Sequence, residues 1–392
     1  MGALDGVKVI EAGLLVQGPQ AAATLGDWGA EVVKVELPRF GDHSRWLPLG
    51  PDDPRSAYFI GCNRGKRSLT LDLRTRSGKE AFLRLAATSD VVITNFKPGT
   101  MEEWGLGYEA LAEVNPGIVY AAGSAFGPVG TDASREGADL AAQAAGGLVA
   151  TTGGDGQHPT PVGATIADHI ASQNLVAGIL AALLARGRTG RGQRVDTSLV
   201  GGQIWAQASE YTAYLLTGRN PGRANRGHSL IPGLYSLFPT VDGWVAIVGV
   251  TGRLRRKFFE VVGRPDLAEL FPQPFYSEED KVRLYRELDP AFAGRTTSEW
   301  CRVLTEAGIR HAPVRDYAQV AADPGVWDNG YLARVDTPDG PADVVASPVR
   351  FSHTPARSGA VAPELGQHTE EILAELGYSP DDIARMSEEG AV

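Results

Sequence analysis

Asp168 stands at the first turn of a helix otherwise built from Ala, Leu, Ile and Val, directly after the Gly/Pro-rich approach that ends at Gly163. Two readings fit that placement. The partial positive charge at a helix N-terminus keeps a carboxylate ionised, as a nucleophile requires, and an aspartate at such a place also serves simply as a cap for free backbone amides. Other candidate chemistry is thinner. The first β-to-α turn reads Val16-Gln17-Gly18-Pro19, and neither GxGxxG nor GxxxxGK[ST] occurs anywhere, which disfavours a dinucleotide-dependent dehydrogenase or a P-loop enzyme. The free amides of that tight turn either meet a ligand or serve the turn alone. Ser124 has Ala122 where a nucleophile elbow needs glycine. The seven histidines, at 43, 158, 169, 228, 311, 353 and 368, form no HExxH or HxH pattern, so metal catalysis has no support and no metal is expected.

A chain of 392 residues that must position such groups is long enough, at roughly 150 residues per domain, for two or three compact units. Apolar residues make up 43% and charged residues 21%, which argues against disorder and fibrous architectures. With 37 Lys+Arg against 47 Asp+Glu the net charge is −10, so nucleic acid is not an expected partner. Cys62 and Cys301 stand alone, without CxxC or a Cys/His cluster, and a reducing cytoplasm is the expected location. The opening residues lack a basic segment followed by an apolar core. The apolar run Leu175 to Leu184, interrupted by Gly178, is too short to span a bilayer, so no membrane association is expected.

The positioning elements follow from local pattern. Val7 to Ala12 reads as a strand, Gln20 to Trp28 as a helix and Ala30 to Glu36 as a second strand. Ser77 is the expected N-cap of a helix over Gly78 to Ala87, and Asp90 to Phe96 and Gly117 to Ala122 are further strands. Apolar strands alternating with helices predict a parallel sheet covered on both faces. The longest helix is expected over Ala167 to Arg186, a strand over Val195 to Leu199 and a helix from Gln203 to Leu216. A Gly/Asn/Arg/Pro-rich linker, Gly218 to Gly233, then leads to a hairpin around Asp242-Gly243 and further helices. The expected fold class is α/β: a Rossmann-like large domain of residues 1–220 completed by 321–392, with a small α+β domain over 221–320.

At this point several ordered blocks carry a resemblance. They are Leu4 to Gly13, Gly26 to Glu36 followed by Gly41-Asp42, Asn63 to Leu73, Thr94 to Met101, Arg188 to Asp196, Ala312 to Val314 and Leu365 to Leu373. In these the chain resembles the class III CoA-transferases, the family that also contains formyl-CoA transferase, carnitine CoA-transferase and α-methylacyl-CoA racemase. The resemblance implies coenzyme A, bound as a substrate thioester with no permanent cofactor, a carboxylic acid as second substrate, and two identical chains interlocked as rings. It places the catalytic carboxylate at Asp168 and CoA contacts at Val16, Gln17, Leu71, Arg74, Asn95, Phe96 and Lys97. Arg and Lys suit the phosphates of CoA, and Leu and Phe suit its adenine. Two positions depart from the pattern: an arginine found after the second strand in some members is shifted to Arg39, which is still expected to contact CoA, and Glu103 stands where another arginine is expected.

The same resemblance separates transferase from racemase. Racemase members resemble Gly-His-Asp where this chain has Gly137-Ala138-Asp139, and they carry a glutamate near Val250 to Arg253, where none is present. Two-base proton exchange at an α-carbon cannot use alanine. The expectation is therefore a CoA-transferase in which Asp168 forms acyl-anhydride and aspartyl-CoA thioester intermediates. Ala138 and Asp139 are expected near the substrate, Asp139 either orienting substrate and backbone or serving only its own helix. A 2-methylacyl-CoA racemase and a catalytically inactive CoA-binding protein are the alternatives. The glycine-rich loop of oxalate-using members is absent, so oxalate is not the expected acceptor.

Overall fold

The computed structural model describes the chain except Asp155, Asn225, Pro232, 273–276, 338–339 and 358–360. Asp155 falls in the Gly/Pro-rich stretch before Asp168, and Asn225 and Pro232 fall in the expected linker, so these positions lie outside the described residues. Contacts divide the chain into two compact units. One comprises Met1–Gly146, Gly163–Ala206 and Pro324–Val392, and the other comprises Gly147–Val162 and Gln207–Asp323.

The larger unit is built on a six-stranded parallel sheet in the order β3-β2-β1-β4-β5-β6. Its strands are β1 Lys8–Ala12, β2 Glu31–Glu36, β3 Arg67–Thr70, β4 Val91–Thr94, β5 Val119–Ser124 and β6 Arg194–Ser198. Successive side chains point to opposite faces, and both faces are apolar. Ile10, Leu69, Val92 and Tyr120 pack under Phe82 and Leu85 of the helix Arg76–Ala87 and under Ile372, Leu373 and Met386 near the C-terminus. Val9, Val32, Val91, Ile93 and Val119 pack under Ala21, Ala22 and Leu25 of the first helix, Gln17–Asp27, and under Leu175, Val176 and Ile179 of the long helix, Ile166–Thr189. Burial on two sides explains why the central strands read as unbroken Val/Ile runs. The chain order reverses between β1 and β4, the place where open α/β sheets form a crevice beyond the carboxyl ends of their strands. A two-stranded ribbon, β10 Leu332–Thr337 and β11 Gly340–Val345, completes this unit.

The smaller unit carries an antiparallel sheet of β7 Leu234–Pro239, β8 Trp244–Val250 and β9 His311–Pro313. Its core is aromatic: Phe238 and Phe292 stack at 4.6 Å, and Trp300 donates its indole N–H to the carbonyl of Phe292 at 2.7 Å.

Several boundaries differ from the sequence reading. Thr75, not Ser77, caps the helix before Ala87: its hydroxyl accepts the amide of Gly78 at 3.0 Å, while Ser77 donates to Glu389 at 2.6 Å. The segment from Leu199 forms two helices, Leu199–Ala206 and Ala208–Thr217. The long helix has 24 residues, more than the apolar run marked out. By length and composition it is the one helix among the described residues able to cross a membrane. The face bearing Leu175, Val176, Ile179 and Ala182 is buried against the sheet, and 33% of the apolar stretch is buried in all.

Candidate active site

The turn between β1 and the first helix is braced from four sides. Asn95, just after β4, accepts the amide of Leu14 at 2.7 Å and donates to its carbonyl at 2.8 Å. Leu15, held at φ +63, donates its amide to Asp42 at 2.9 Å. Lys34 donates to the carbonyl of Gly13 at 3.2 Å, and Lys66 to that of Pro19 at 2.9 Å. A side chain at Gly13 would stand 2.7 Å from the Asn95 amide oxygen, so only glycine fits. Below the turn lies a fully buried ionic cluster. Glu11 pairs with Lys34 at 2.9 Å and with Lys66 at 3.1 Å, and Asp42 pairs with Lys34 at 2.8 Å. Burial opposes the charge on Lys34, yet Glu11 and Asp42 outweigh it and hold that ammonium well above its ordinary value.

The bracing sets Gln17 at the helix start. Its side chain is 3% exposed, lies against Gly123 of β5 and leaves Nε2 without a hydrogen-bond partner among the described residues. A buried amide N–H of that kind is expensive unless something accepts from it.

Beyond the strand ends opens a cleft of about 450 Å³ lined by Leu71, Arg74 and Phe96 together with Phe40, Trp46 and Trp104. Phe96 and Trp104 meet edge to face at 5.3 Å. Arg74 is held by Asp72, with an Nη2–Oδ2 distance of 2.7 Å. Lys97 lines an adjoining hollow with Arg194, and its closest carboxylate is Glu136 at 3.9 Å.

Asp168 occupies the first turn of the long helix, partly buried, and its carboxylate takes no hydrogen bond among the described residues. Its backbone is held by Asp139, the first residue of the helix Asp139–Ala145. The Oδ1 of Asp139 accepts the amides of Ala167 at 2.7 Å and Asp168 at 3.3 Å, and Oδ2 accepts from Gln143 at 2.5 Å. Thr165, the N-cap residue, makes no side-chain cap bond, so Asp139 supplies the cap from a different element. Burial, and next the charge of Asp139, push the Asp168 carboxyl up to about 7. The helix N-terminus favours the ionised form, and desolvation beside a like charge opposes it.

Residues 4–369 match the model of CoA-transferase family III. A succinyl-CoA:mesaconate CoA-transferase of Haloarcula hispanica is 37% identical, covering 96% of this chain and 97% of its own. The chain belongs to CoA-transferase family III. The human succinyl-CoA:glutarate CoA-transferase is 31% identical over 99% of this chain and 90% of its own. Among solved structures, a CAIB/BAIF family protein from Brucella suis superposes with a TM-score of 0.84 at 33% identity, covering 96% of this chain and 99% of that one. The protein is thus an enzyme that moves CoA between acyl-CoA thioesters and carboxylic acids.

Within this family III CoA-transferase the sequence-derived residues fall into separate groups. Leu71, Arg74 and Phe96 share the cleft, with Lys97 beside it. Val16 is buried at the end of the braced turn, as the N-cap residue of the first helix. Asn95 directs its side-chain amide to Leu14, so it shapes the turn. Ala138 is the extended residue preceding the Asp139 helix. Arg39 lies apart: with φ +67, it lines a different hollow with Pro38, Thr70 and Gly366. Glu103 is exposed at the end of a short helix, Thr100–Glu103. Ser124 has a structural part, donating to the Thr197 carbonyl at 3.2 Å and accepting the Gly127 amide at 3.1 Å. Among the described residues no group of three or more His, Cys, Asp or Glu is placed to hold a metal ion.

Sequence reasoning missed the ionic cluster under the turn and the aromatic walls Phe40, Trp46 and Trp104. Glu11, Lys34, Asp42 and Lys66 all sit inside the matched blocks, and charges within buried-strand patterns were the available signal. The aromatics had none.

Proposed function

We propose that this enzyme transfers CoA from succinyl-CoA, or a closely similar acyl-CoA, to a small carboxylic acid through covalent intermediates on Asp168. Succinyl-CoA enters from the relatives, several of which are named for it. The observation that carries the covalent route is the Asp168 carboxylate itself, partly buried and without a hydrogen-bond partner among the described residues, on a backbone fixed by Asp139.

The thioester reaches the cleft with its adenine among Leu71, Phe96 and the aromatic walls and its phosphates toward Lys97 and Arg74. An ionised Asp168 oxygen attacks the thioester carbon. The new C–O bond replaces the C–S bond, giving a mixed anhydride and CoA thiolate. The thiolate attacks the aspartyl carbonyl carbon, forming the aspartyl-CoA thioester and releasing the donor acid as its carboxylate. The acceptor carboxylate then displaces thiolate to form a second anhydride. Thiolate attack on the acceptor's carbonyl yields the new acyl-CoA and restores Asp168. Each addition places negative charge on a carbonyl oxygen, and Gln17 Nε2, unpartnered among the described residues, and nearby backbone amides are suited to stabilise it. Two chains interlocked as rings complete this reading, supported by side chains such as Trp205 at 72% exposure and Leu216 at 81%, which a second copy would cover.

The test is trapping. Enzyme incubated with succinyl-CoA and no acceptor, then treated with hydroxylamine and digested, should show a hydroxamate on the peptide containing Asp168, and Asp168→Asn should show none while still binding CoA. Label on another residue, or full turnover by Asp168→Asn, would refute the mechanism.

A further inference from the structure

Lys66 is fully buried, and its ammonium has three acceptors for its three protons: Asn63 Oδ1 at 2.8 Å, the Pro19 carbonyl at 2.9 Å and Glu11 Oε2 at 3.1 Å. Pro19 lies in the first turn of the helix that begins at Gln17, and Asn63 is itself fixed, donating to the Phe59 carbonyl at 3.0 Å. Lys66 therefore ties the turn that presents Val16 and Gln17 both to the ionic cluster beneath it and to the helix Ala57–Asn63. We propose that Lys66 is a positioning residue for CoA binding: as an ammonium it pins the turn in the binding geometry, and loss of its proton releases the turn and weakens binding of the CoA thioester.

The chemistry of the contact motivates this. A neutral amine has two N–H groups and a lone pair, so one of the three acceptors must face a lone pair and lose its bond. The remaining bonds lose their charge assistance. Burial, partly offset by Glu11 and reinforced by Lys34, lowers the Lys66 ammonium to about 8. The groups that face it are Glu11 from β1, Lys34 from β2 and Cys62 from the neighbouring helix, with Asp42 behind Lys34. Lys34 is pushed the opposite way, and burial raises the Cys62 thiol to about 11. Of these basic and thiol groups, Lys66 is the one whose proton is loosened, since Lys34 and the Cys62 thiol are both pushed upward. Two lysines share one carboxylate, and the ammonium of Lys34 is held the more firmly of the two.

The inference rests on the CoA-binding role proposed above for this turn, and the experiment separates the two. Calorimetric titration with a thioether analogue of an acyl-CoA, which has no ionisable thiol and cannot react, is carried out from pH 7 to 9 on the full chain, with melting curves to establish folding. Wild type should weaken by about tenfold across that range, the equivalent of one charge-assisted bond. Lys66→Arg, which keeps its charge, should remain flat. Lys66→Met should be weak and equally flat, so either folded variant suffices for the comparison. Absence of binding at any pH would refute the CoA role of the turn. Binding with a pH-independent Kd in wild type, or the same alkaline weakening in Lys66→Arg or Lys66→Met, would refute the part given to Lys66 and leave the CoA reading standing.

Discussion

The carboxylate of Asp139 holds the backbone that presents Asp168, with Oδ1 accepting the Ala167 amide at 2.7 Å and the Asp168 amide at 3.3 Å. One carboxylate therefore does two opposed things to the other. It fixes the direction from which Asp168 leaves the helix, and its charge disfavours ionisation of the group it has placed.

These two effects are separable by substitution. Asp139→Asn keeps an oxygen acceptor for the two amides, removes the charge and puts an N–H group where Oδ2 accepted from Gln143, so the acid limb of kcat/KM should move to lower pH with a smaller loss of stability than removal of the whole cap causes. Asp139→Ala removes the cap and leaves Gln143 without that acceptor. It should lower stability by about 1–2 kcal/mol, typical of a lost cap, and lower kcat at every pH. Rate profiles from pH 5 to 9 and thermal melts of both variants check this, and an unmoved acid limb in Asp139→Asn would exclude the electrostatic coupling.

Burial of Asp168 also predicts a stability signature for the unliganded enzyme. The folded carboxyl, raised to about 7, binds its proton more tightly than the unfolded chain does. Stability therefore falls as pH rises from about 4 toward 7. Asp168→Asn escapes that penalty, so above pH 7 it should be more stable than wild type, by at most about 4 kcal/mol for a shift of this size. The difference should shrink as pH approaches 4. A variant less stable than wild type at pH 8 would show that the buried charge is compensated.

How far the sequence revealed this molecule depends on the range of the signal. β1, β2, β4 and β5 were legible because burial on both faces demands Val/Ile runs that periodicity detects directly. β3, Arg67–Thr70, was not read as a strand, because its four residues carry only one large apolar side chain, Leu69. The Ser77 misreading reflects two good capping residues two positions apart, a choice that the geometry at Gly78 decides. Asp168 stood out through its apolar helix, but the cap from Asp139 spans 29 positions, and the Lys66–Glu11 bond spans 55. Pairings of that kind belong to the fold and leave no local pattern.

The two cations offered to the CoA phosphates should prove unequal. Arg74 is held by Asp72 at 2.7 Å with its side chain 60% exposed, whereas among the described residues Lys97 has only Glu136 at 3.9 Å. A phosphate must compete with Asp72 for Arg74. Lys97→Ala should therefore weaken CoA binding by about ten- to a hundredfold, the scale of one charge-assisted contact, and Arg74→Ala by less. Asp72→Asn should tighten binding by freeing the guanidinium. Calorimetry with CoA and dephospho-CoA measures all three, and unchanged affinity in both cation variants would reduce Arg74 and Lys97 to solvated surface groups.

Gly123 offers a test of Gln17 that leaves Gln17 chemically intact. A Cβ at position 123 would stand 2.4 Å from Gln17 Oε1, 2.5 Å from its Cδ and 2.8 Å from Nε2, and these are the nearest atoms it would meet. Gly123 is an ordinary strand residue paired with Thr197 of β6 and has no positive φ, so the backbone accepts alanine. The clash is with a movable side chain, which must swing away, and Gly123→Ala should fold and melt close to wild type. If Gln17 Nε2 stabilises the developing oxyanion, its displacement should lower kcat by roughly a hundred- to a thousandfold, as loss of one such donor does, and Gln17→Ala should match it. The double variant then decides the matter: Gly123→Ala should cause no further loss once Gln17 is already alanine, because the two changes remove the same interaction. Multiplying losses would mean that Gly123 acts through something other than Gln17, and undiminished kcat in Gln17→Ala would remove Gln17 from the mechanism.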